Sequence, residues 1–413
     1  MNASAMQLPW TMKNVPHAVL DILRGCNIRC RDCYNLQPDH IKPLAEIETQ
    51  LDELLRLRKL HSVSLVGGEI TLHPDLTEIV RRVRRRGLFV ELFTNGVALN
   101  EQSLTELKQA GANLIFLHIE PDQQRADLPI NSTADDLRRL RESKVALVAA
   151  HGIEVGLAVT IYPDKLAELE EAVRFALESP NVSYLLVTLW RDVGRMPPVH
   201  GDLEKGMFTK SDESRRLNIK DQFSHRDVSQ LLESKFALAP FGYIGSNVDA
   251  NEPRWLSFLT AAVNKKNKLI FQRSLKPTWM ERAFLDIARR VTGRYPFYQS
   301  QRAGRFALHL LLNGLAGGGF LDNLKLLAKS CRPGTRLGLK RLLFQWPATF
   351  DAQGRVIHCE CCPDAVLKDG HLVPLCISDL IGNSVSAGKK PREIMRNSNL
   401  ATGRTSRKPD IVC

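Results

Sequence analysis

Three cysteines, Cys26, Cys30 and Cys33, stand in a C-x3-C-x2-C pattern on one short stretch, residues 25–34. A loop with this spacing can turn three thiolates toward one point. Three soft sulfur donors suit an iron–sulfur cluster or zinc. A [4Fe-4S] cubane held by three cysteines keeps one iron free of protein ligands, and there a small molecule can bind and receive an electron. A structural zinc would instead be closed by a fourth ligand. About thirty-five residues later, residues 63–69 read Val-Ser-Leu-Val-Gly-Gly-Glu. This is a strand ending in Gly67-Gly68-Glu69. Two glycines let the backbone approach a ligand closely, and the Glu69 carboxylate can pair with a cationic amine. A zinc knuckle, or three unrelated buried cysteines, is the competing reading. Neither predicts Gly-Gly-Glu after the next strand.

The two motifs, in this order, resemble those of the radical S-adenosylmethionine (radical SAM) superfamily. In that family the cysteine triplet follows the first strand, and Gly-Gly-Glu meets the methionyl amino group. One residue departs from the pattern. Asp32 precedes the third cysteine, where the family often has an aromatic that packs on the adenine; here the aromatic, Tyr34, follows it. The resemblance implies that the open iron chelates the amino and carboxylate groups of S-adenosylmethionine. One electron then breaks the sulfonium bond to the 5′ carbon, and the resulting 5′-deoxyadenosyl radical takes hydrogen from a substrate. A flavodoxin- or ferredoxin-type electron donor is implied as well.

The elements that would position these residues can be read in order. Residues 17–23 form a first apolar strand. Helical periodicity covers 44–60, 73–86, 101–110, 133–151 and 164–178, and strands fall at 63–69, 88–93, 113–119, 153–161 and 182–189. Strands alternating with helices predict a parallel α/β sheet with right-handed crossovers. Six such units match the partial (βα)6 barrel of the resembled family. Ligands gather at the carboxyl ends of such strands. The cysteine loop, Gly67–Glu69, Thr94, Asn95, His118, Glu120, Thr160 and Arg191 all fall there and are expected to share one mouth, where Tyr34 joins them. Singly, each of Thr94, Asn95, His118, Glu120, Thr160 and Arg191 is also ordinary loop chemistry; Asn95 makes a turn with Gly96 as easily as it binds a ligand.

The chain has 413 residues and a formal net charge of +12. Residues 254–305 hold twelve Lys/Arg and two Asp/Glu, so this window carries +10. Such a segment attracts anions: lipid head groups, nucleic acid or a phosphorylated substrate. Within it, residues 279–291 place Met280, Phe284, Ile287 and Val291 on one helical face and Arg282, Asp286, Arg289 and Arg290 largely on the other. Contact with an anionic membrane surface is one reading, with a lipid or other membrane-associated substrate. A core-packed helix with a solvated basic face is another. Nucleic acid is the third, with Tyr295, Phe297 and Tyr298 available to stack on bases. Residues 306–312 and 320–328 read as a helical pair bent at Gly317-Gly318-Gly319. Residues 306–321 are too short and broken to span a bilayer.

Cysteines recur at Cys359, Cys361, Cys362 and Cys376, with Cys331 upstream. Two hairpins, with turns at Ala352-Gln353-Gly354 and Asp369-Gly370, deliver them. The pattern resembles the SPASM and Twitch auxiliary-cluster modules of radical SAM enzymes. This implies a second iron–sulfur cluster on Cys359, Cys362 and Cys376, with Cys361 or Cys331 as fourth ligand and structural zinc as the rival. The expected domains are a radical SAM core at 1–192, a linker or exposed loop at 193–235, a basic helical region at 236–345, a cysteine-rich module at 346–383 and a flexible tail at 384–413. Residues 1–15 lack a continuous apolar core, and nine cysteines without a secretory signal suggest a reducing cytoplasm, with peripheral membrane contact under the lipid reading. Cys413 does not match a prenylation signal. The functional expectation is a radical SAM enzyme acting on an anionic or membrane-associated substrate. Peptide maturation and RNA modification are the alternatives, with a non-catalytic metal-stabilised binding protein as the rival from another class.

Overall fold

A computed structural model describes residues 5–31, 33–35, 39–121, 123–129, 131–163, 165–191, 199–203, 207–210, 223–297 and 303–381. Asp32, the Pro197-Pro198 stretch, Tyr298, the tail from residue 384 and Cys413 lie outside the described residues.

After a two-residue strand β1 (Met6–Gln7), the chain enters the alternating pattern: β2 (His17–Leu23), α1 (Leu44–Leu57), β3 (Ser62–Gly67), α2 (Leu76–Arg85), β4 (Phe89–Thr94), α3 (Glu101–Ala110), β5 (Leu114–His118), α4 (Ala134–Ala150), β6 (Glu154–Ile161), α5 (Leu166–Glu178) and β7 (Val182–Leu189). The six strands β2 to β7 lie side by side in chain order, every pair parallel. Their Val, Ile and Leu side chains are buried, as a parallel sheet covered by helices requires. The helices bury the stripe set by their period, such as Ile47, Leu51 and Leu54 in α1 and Leu76, Ile79, Val80 and Val83 in α2. Boxes at Asn100/Ser103 and Thr133/Asp136 cap α3 and α4.

Beyond β7 the fold departs from the expected layout. A short hairpin, β8 (Val199–Asp202) with β9 (Met207–Lys210), and a helix α6 (His225–Phe236) occupy much of the stretch expected to be a linker. The region expected to be helical is half strand. β10 (Gly242–Gly245), β11 (Pro253–Lys265), β12 (Lys268–Ser274) and β13 (Thr335–Gln345) extend the barrel sheet. β13 runs parallel to β7, β11 antiparallel to β13, β10 antiparallel to β11, and β1 closes that edge. The reason is composition. Residues 254–263 read Arg-Trp-Leu-Ser-Phe-Leu-Thr-Ala-Ala-Val, and all but Ser257 and Leu259 are buried; most of the charge that marks this window lies outside β11, which carries Arg254 and Lys265 alone of its cations.

Between β12 and β13 come α7 (Trp279–Thr292), α8 (Ala303–Asn313), a π-turn at Gly314–Gly318 and α9 (Phe320–Ser330). The helical pair bends at the glycines as expected, Gly317 having φ +102 and Gly319 φ +94. β13 meets β7 first at Arg341↔Tyr184, so residues 335–339 overhang the amino end of the parallel strands, and α8 and α9 pack there on Ala261, Val263 and Leu339. Residues 294–297 run back under the barrel. Arg294 donates to the Leu60 carbonyl (2.9 Å), and Phe297 stacks on His17 at 4.6 Å. Tyr295 is buried. Tyr295 and Phe297 therefore close the base of the barrel and are not available to stack on bases.

The chain ends its described part in a small module: hairpin β14 (Thr349–Phe350) with β15 (Val356–Ile357), hairpin β16 (Ala365–Lys368) with β17 (His371–Pro374), and the turn α10 (Leu375–Ser378). Both expected hairpins are present. Val366, Val373, Ile377 and Leu380 pack on Val19 and Val66, which places the module over the carboxyl end of β2 and β3.

Candidate functional site

The carboxyl ends of β2 to β7 and the small module enclose one cavity of about 280 Å³. Cys26, Cys30 and Cys33 line it, and so do Cys359, Cys362 and Cys376. Nine of the ten residues expected around a cofactor also line it: Tyr34, Gly67, Gly68, Thr94, Asn95, His118, Glu120, Thr160 and Arg191. The exceptions are Glu69, Cys361 and Cys331.

The first cysteine loop leaves β2 at Leu23 and is laid against the end of β3. Gly68 N–H donates to the Leu23 carbonyl and Glu69 N–H to the Gly25 carbonyl, both at 2.9 Å. A Cβ on Gly68 would stand 2.1 Å from the Gly25 oxygen, and one on Gly67, at φ +155, would stand 2.2 Å from the Leu23 oxygen. The two glycines are thus required by the cysteine loop's own backbone. Glu69 is fully buried. Its carboxylate accepts from Thr71 N–H (3.0 Å), the Thr71 and Thr94 hydroxyls (both 2.6 Å) and Asn95 N–H (2.7 Å). In this structure it ties β3 to the end of β4, and its oxygens point into the chain, not into the cavity.

Further along the loop, Asn95 Nδ2 donates to Asn27 Oδ1 (2.7 Å) and lies 3.9 Å from Cys26 Sγ. Arg29 N–H donates to the Gln123 carbonyl (3.0 Å). The Tyr162 hydroxyl donates to the Arg31 carbonyl (2.6 Å), with the Arg31 guanidinium over the Tyr162 ring. The Tyr34 hydroxyl donates to the Gly67 carbonyl (3.2 Å). Burial raises the Cys26 and Cys33 thiols above the ordinary range. For His118, burial opposes charge, but the Glu120 carboxylate at 3.1 Å and the Cys30 thiol outweigh it and hold the imidazolium well above the usual histidine range.

On the opposite wall, Cys359 and Cys362 touch, and Cys376 feels the charge of Cys359. Contact with Cys359 and then burial hold the Cys362 thiol far up. Three buried arginines surround this trio. Arg58 donates to the Cys362 and His17 carbonyls (both 2.9 Å). Arg191 donates to the Ala348 carbonyl (3.1 Å) and to that of Cys376. Arg254 donates to the Pro347 carbonyl and the Thr349 hydroxyl. Arg191 was expected beside a cofactor at the end of β7; it belongs to the second cysteine group. Sequence reasoning missed Arg58 and Arg254, because a lone arginine at a helix or strand end carries no local signal.

The donor sets fit metal centres. Among the described residues the buried Arg191 cation has no carboxylate partner, and its Nε has no hydrogen bond. A buried cation calls for an anion nearby, and thiolates on a metal centre at Cys376 would supply it. Among the described residues no three His, Cys, Asp or Glu side chains gather tightly enough for a single ion. A cubane takes its thiolates on separate irons and so accepts a wider set. Cys361 is fully buried with its Sγ 3.7 Å from the Trp10 carbonyl, and Cys331 caps the end of α9 at the surface. Neither joins the trio, whereas Asp364 lines the cavity beside it.

Residues 20–176 match the Radical SAM superfamily. A tungsten-containing aldehyde ferredoxin oxidoreductase cofactor-modifying protein of Pyrococcus furiosus is 26% identical over 168 residues, covering 38% of this chain and 47% of that protein. The antilisterial bacteriocin subtilosin biosynthesis protein AlbA of Bacillus subtilis is 26% identical over 164 residues, covering 38% and 35%. The match thus spans less than half of either relative. Among solved structures, SuiB of Streptococcus suis bound to S-adenosylmethionine aligns with TM-score 0.35 at 17% identity, covering 55% of this chain and 47% of that one. Methylornithine synthase aligns with TM-score 0.37 at 15% identity, covering 55% and 63%. The cysteine triplet after the first barrel strand, the Gly-Gly-Glu after the second and the match over residues 20–176 agree: this part of the chain is a radical SAM domain.

Proposed function

We propose that this chain is an enzyme that cleaves S-adenosylmethionine reductively and modifies a peptide. The observation that carries the chemistry is the cavity itself, with Cys26, Cys30 and Cys33 on one wall beside Gly67, Gly68 and Tyr34. When bound, a [4Fe-4S] cluster and S-adenosylmethionine supply one-electron cleavage of the sulfonium to methionine and a 5′-deoxyadenosyl radical. The chain's own residues orient and shield. Asn95 and Tyr162 fix the cysteine loop, and Thr94, His118, Glu120 and Thr160 offer polar contacts along the strand ends. Tyr162, Trp190, Trp255 and Trp346 wall the cavity against water. The second trio, with its arginines, would hold an auxiliary cluster. An electron donor of flavodoxin or ferredoxin type completes the reaction.

The peptide reading is supported by the relative named for bacteriocin biosynthesis and by the aromatic walls, which suit an amino-acid side chain. A lipid substrate, the first expectation from charge, has no support among the relatives. RNA modification loses Tyr295 and Phe297, which are spent in the barrel base.

The test is anaerobic reconstitution. Wild-type protein should be brown, carry more than four irons per chain, and release 5′-deoxyadenosine when reduced with S-adenosylmethionine. Alanine at Cys26, Cys30 and Cys33 should abolish nucleoside release and remove about one cluster's iron. Colourless protein holding zinc, or undiminished release from the triple variant, would favour a metal-stabilised binding protein instead.

A further inference from the structure

Helix α7 is turned inside out, whereas α8 and α9 bury Phe306, Leu310 and Leu326. The only buried residue of α7 is an acid, Glu281. It accepts from the Thr278 cap and from Asn313 Nδ2 of α8 at 2.7 Å. The apolar stripe points outward: Trp279 is 70% exposed, Phe284 51%, Ile287 58% and Val291 79%. α8 and α9 are tied beside it, Asn323 Nδ2 donating to the Leu310 carbonyl at 2.6 Å. With the turn between them, they expose Leu308, Leu315 and Leu321. Of seventeen large apolar side chains exposed among the described residues, ten lie between Trp279 and Leu324. Scattered exposed leucines are ordinary; a concentration of this kind marks a contact surface.

We infer that this face docks on an anionic lipid bilayer and anchors the protein there without crossing it. Charge selects the occupant. The +10 window runs from 254 to 305; Arg282 and Arg290 are exposed on α7 itself, and Lys265, Lys266 and Lys276 are exposed elsewhere in the window. Apolar side chains beside a cationic rim, with an exposed tryptophan, match the boundary between acyl chains and acidic head groups. No described helix is long and apolar enough to cross a membrane. The position in the fold sets what docking does. α8 and α9 cover the overhang at the amino end of the parallel strands, and the cavity lies at the carboxyl end. The bilayer is therefore a platform at the base of the barrel, and the reacting group need not be a lipid. This inference stands apart from the chemistry proposed above.

The experiment is flotation of the full-length protein with vesicles of phosphatidylcholine alone or with phosphatidylglycerol added. Wild type should float with the acidic vesicles, and high salt should weaken it. The double variant Trp279→Glu/Ile287→Glu should lose roughly tenfold or more of that binding. Arg282→Gln/Arg290→Gln should lose the preference for acidic lipid. Iron content and nucleoside release should match wild type in both, since all four side chains are exposed. Wild type that ignores both vesicle types overturns the inference, as does a double-glutamate variant that floats equally well. A dimer in lipid-free solution dissolved by the same glutamates assigns the face to a second copy and overturns it too.

Discussion

Arg191 shows how much a single buried charge can reveal. It is closed off from water, has no carboxylate partner among the described residues, and holds the Ala348 and Cys376 carbonyls at the second trio. A cation there would stabilise the more negative, reduced state of the cluster proposed at Cys376. Replacing it, Arg191→Met, should lower the midpoint potential of the second centre on the order of tens of millivolts and leave the first unchanged. Potentiometric titration followed by electron paramagnetic resonance reads both. Nothing around residue 191 in the chain announces this; the pairing comes from strands and hairpins more than 150 positions apart.

The strand-to-loop junctions carry the next scale. Gly67 and Gly68 were legible as a close-approach motif, and the structure supplies the reason: the neighbour is the backbone of the cysteine loop. Gly68→Ala should push that loop away, costing about 2 kcal/mol and reducing iron in the first centre while the second keeps its own. Thermal unfolding and iron counts on single-centre variants separate the two effects. The barrel elements could be read because their signals are local, since apolar period, capping residues and stop glycines act within a few residues. β10 to β13 escape a reading of 236–345 as one helical region around its charged stretch. Strands β10 to β13 and helices α7 to α9 share that region.

At the scale of the whole molecule, the base of the barrel is a buried polar layer closed by residues 294–297. His17 lies in it, bonded to Ser62 and Ser64 and stacked on Phe297. Burial, with Arg58 adding, pushes its pKa down to about 3. The unfolded chain binds a proton at this histidine near pH 6.5 and the folded chain does not. Stability from this group is thus complete above about pH 6.5 and drains away as pH falls toward 3, by about 1.4 kcal/mol per unit. His17→Gln should show a flatter fall of melting temperature than wild type between pH 6.5 and 4.

The order of residues alone determined the run of six strand–helix units and carries the proposal for the first cysteine triplet, because thiolate spacing and hydrophobic period are short-range properties. Tertiary structure decided the rest. It set Glu69 into the chain, turned Cys361 away from Cys359, Cys362 and Cys376, and brought Arg58, Arg191 and Arg254 around that trio. It also turned the apolar face of α7 outward. Each of these depends on which distant surfaces meet, and a burial pattern along one segment does not say what lies across from it.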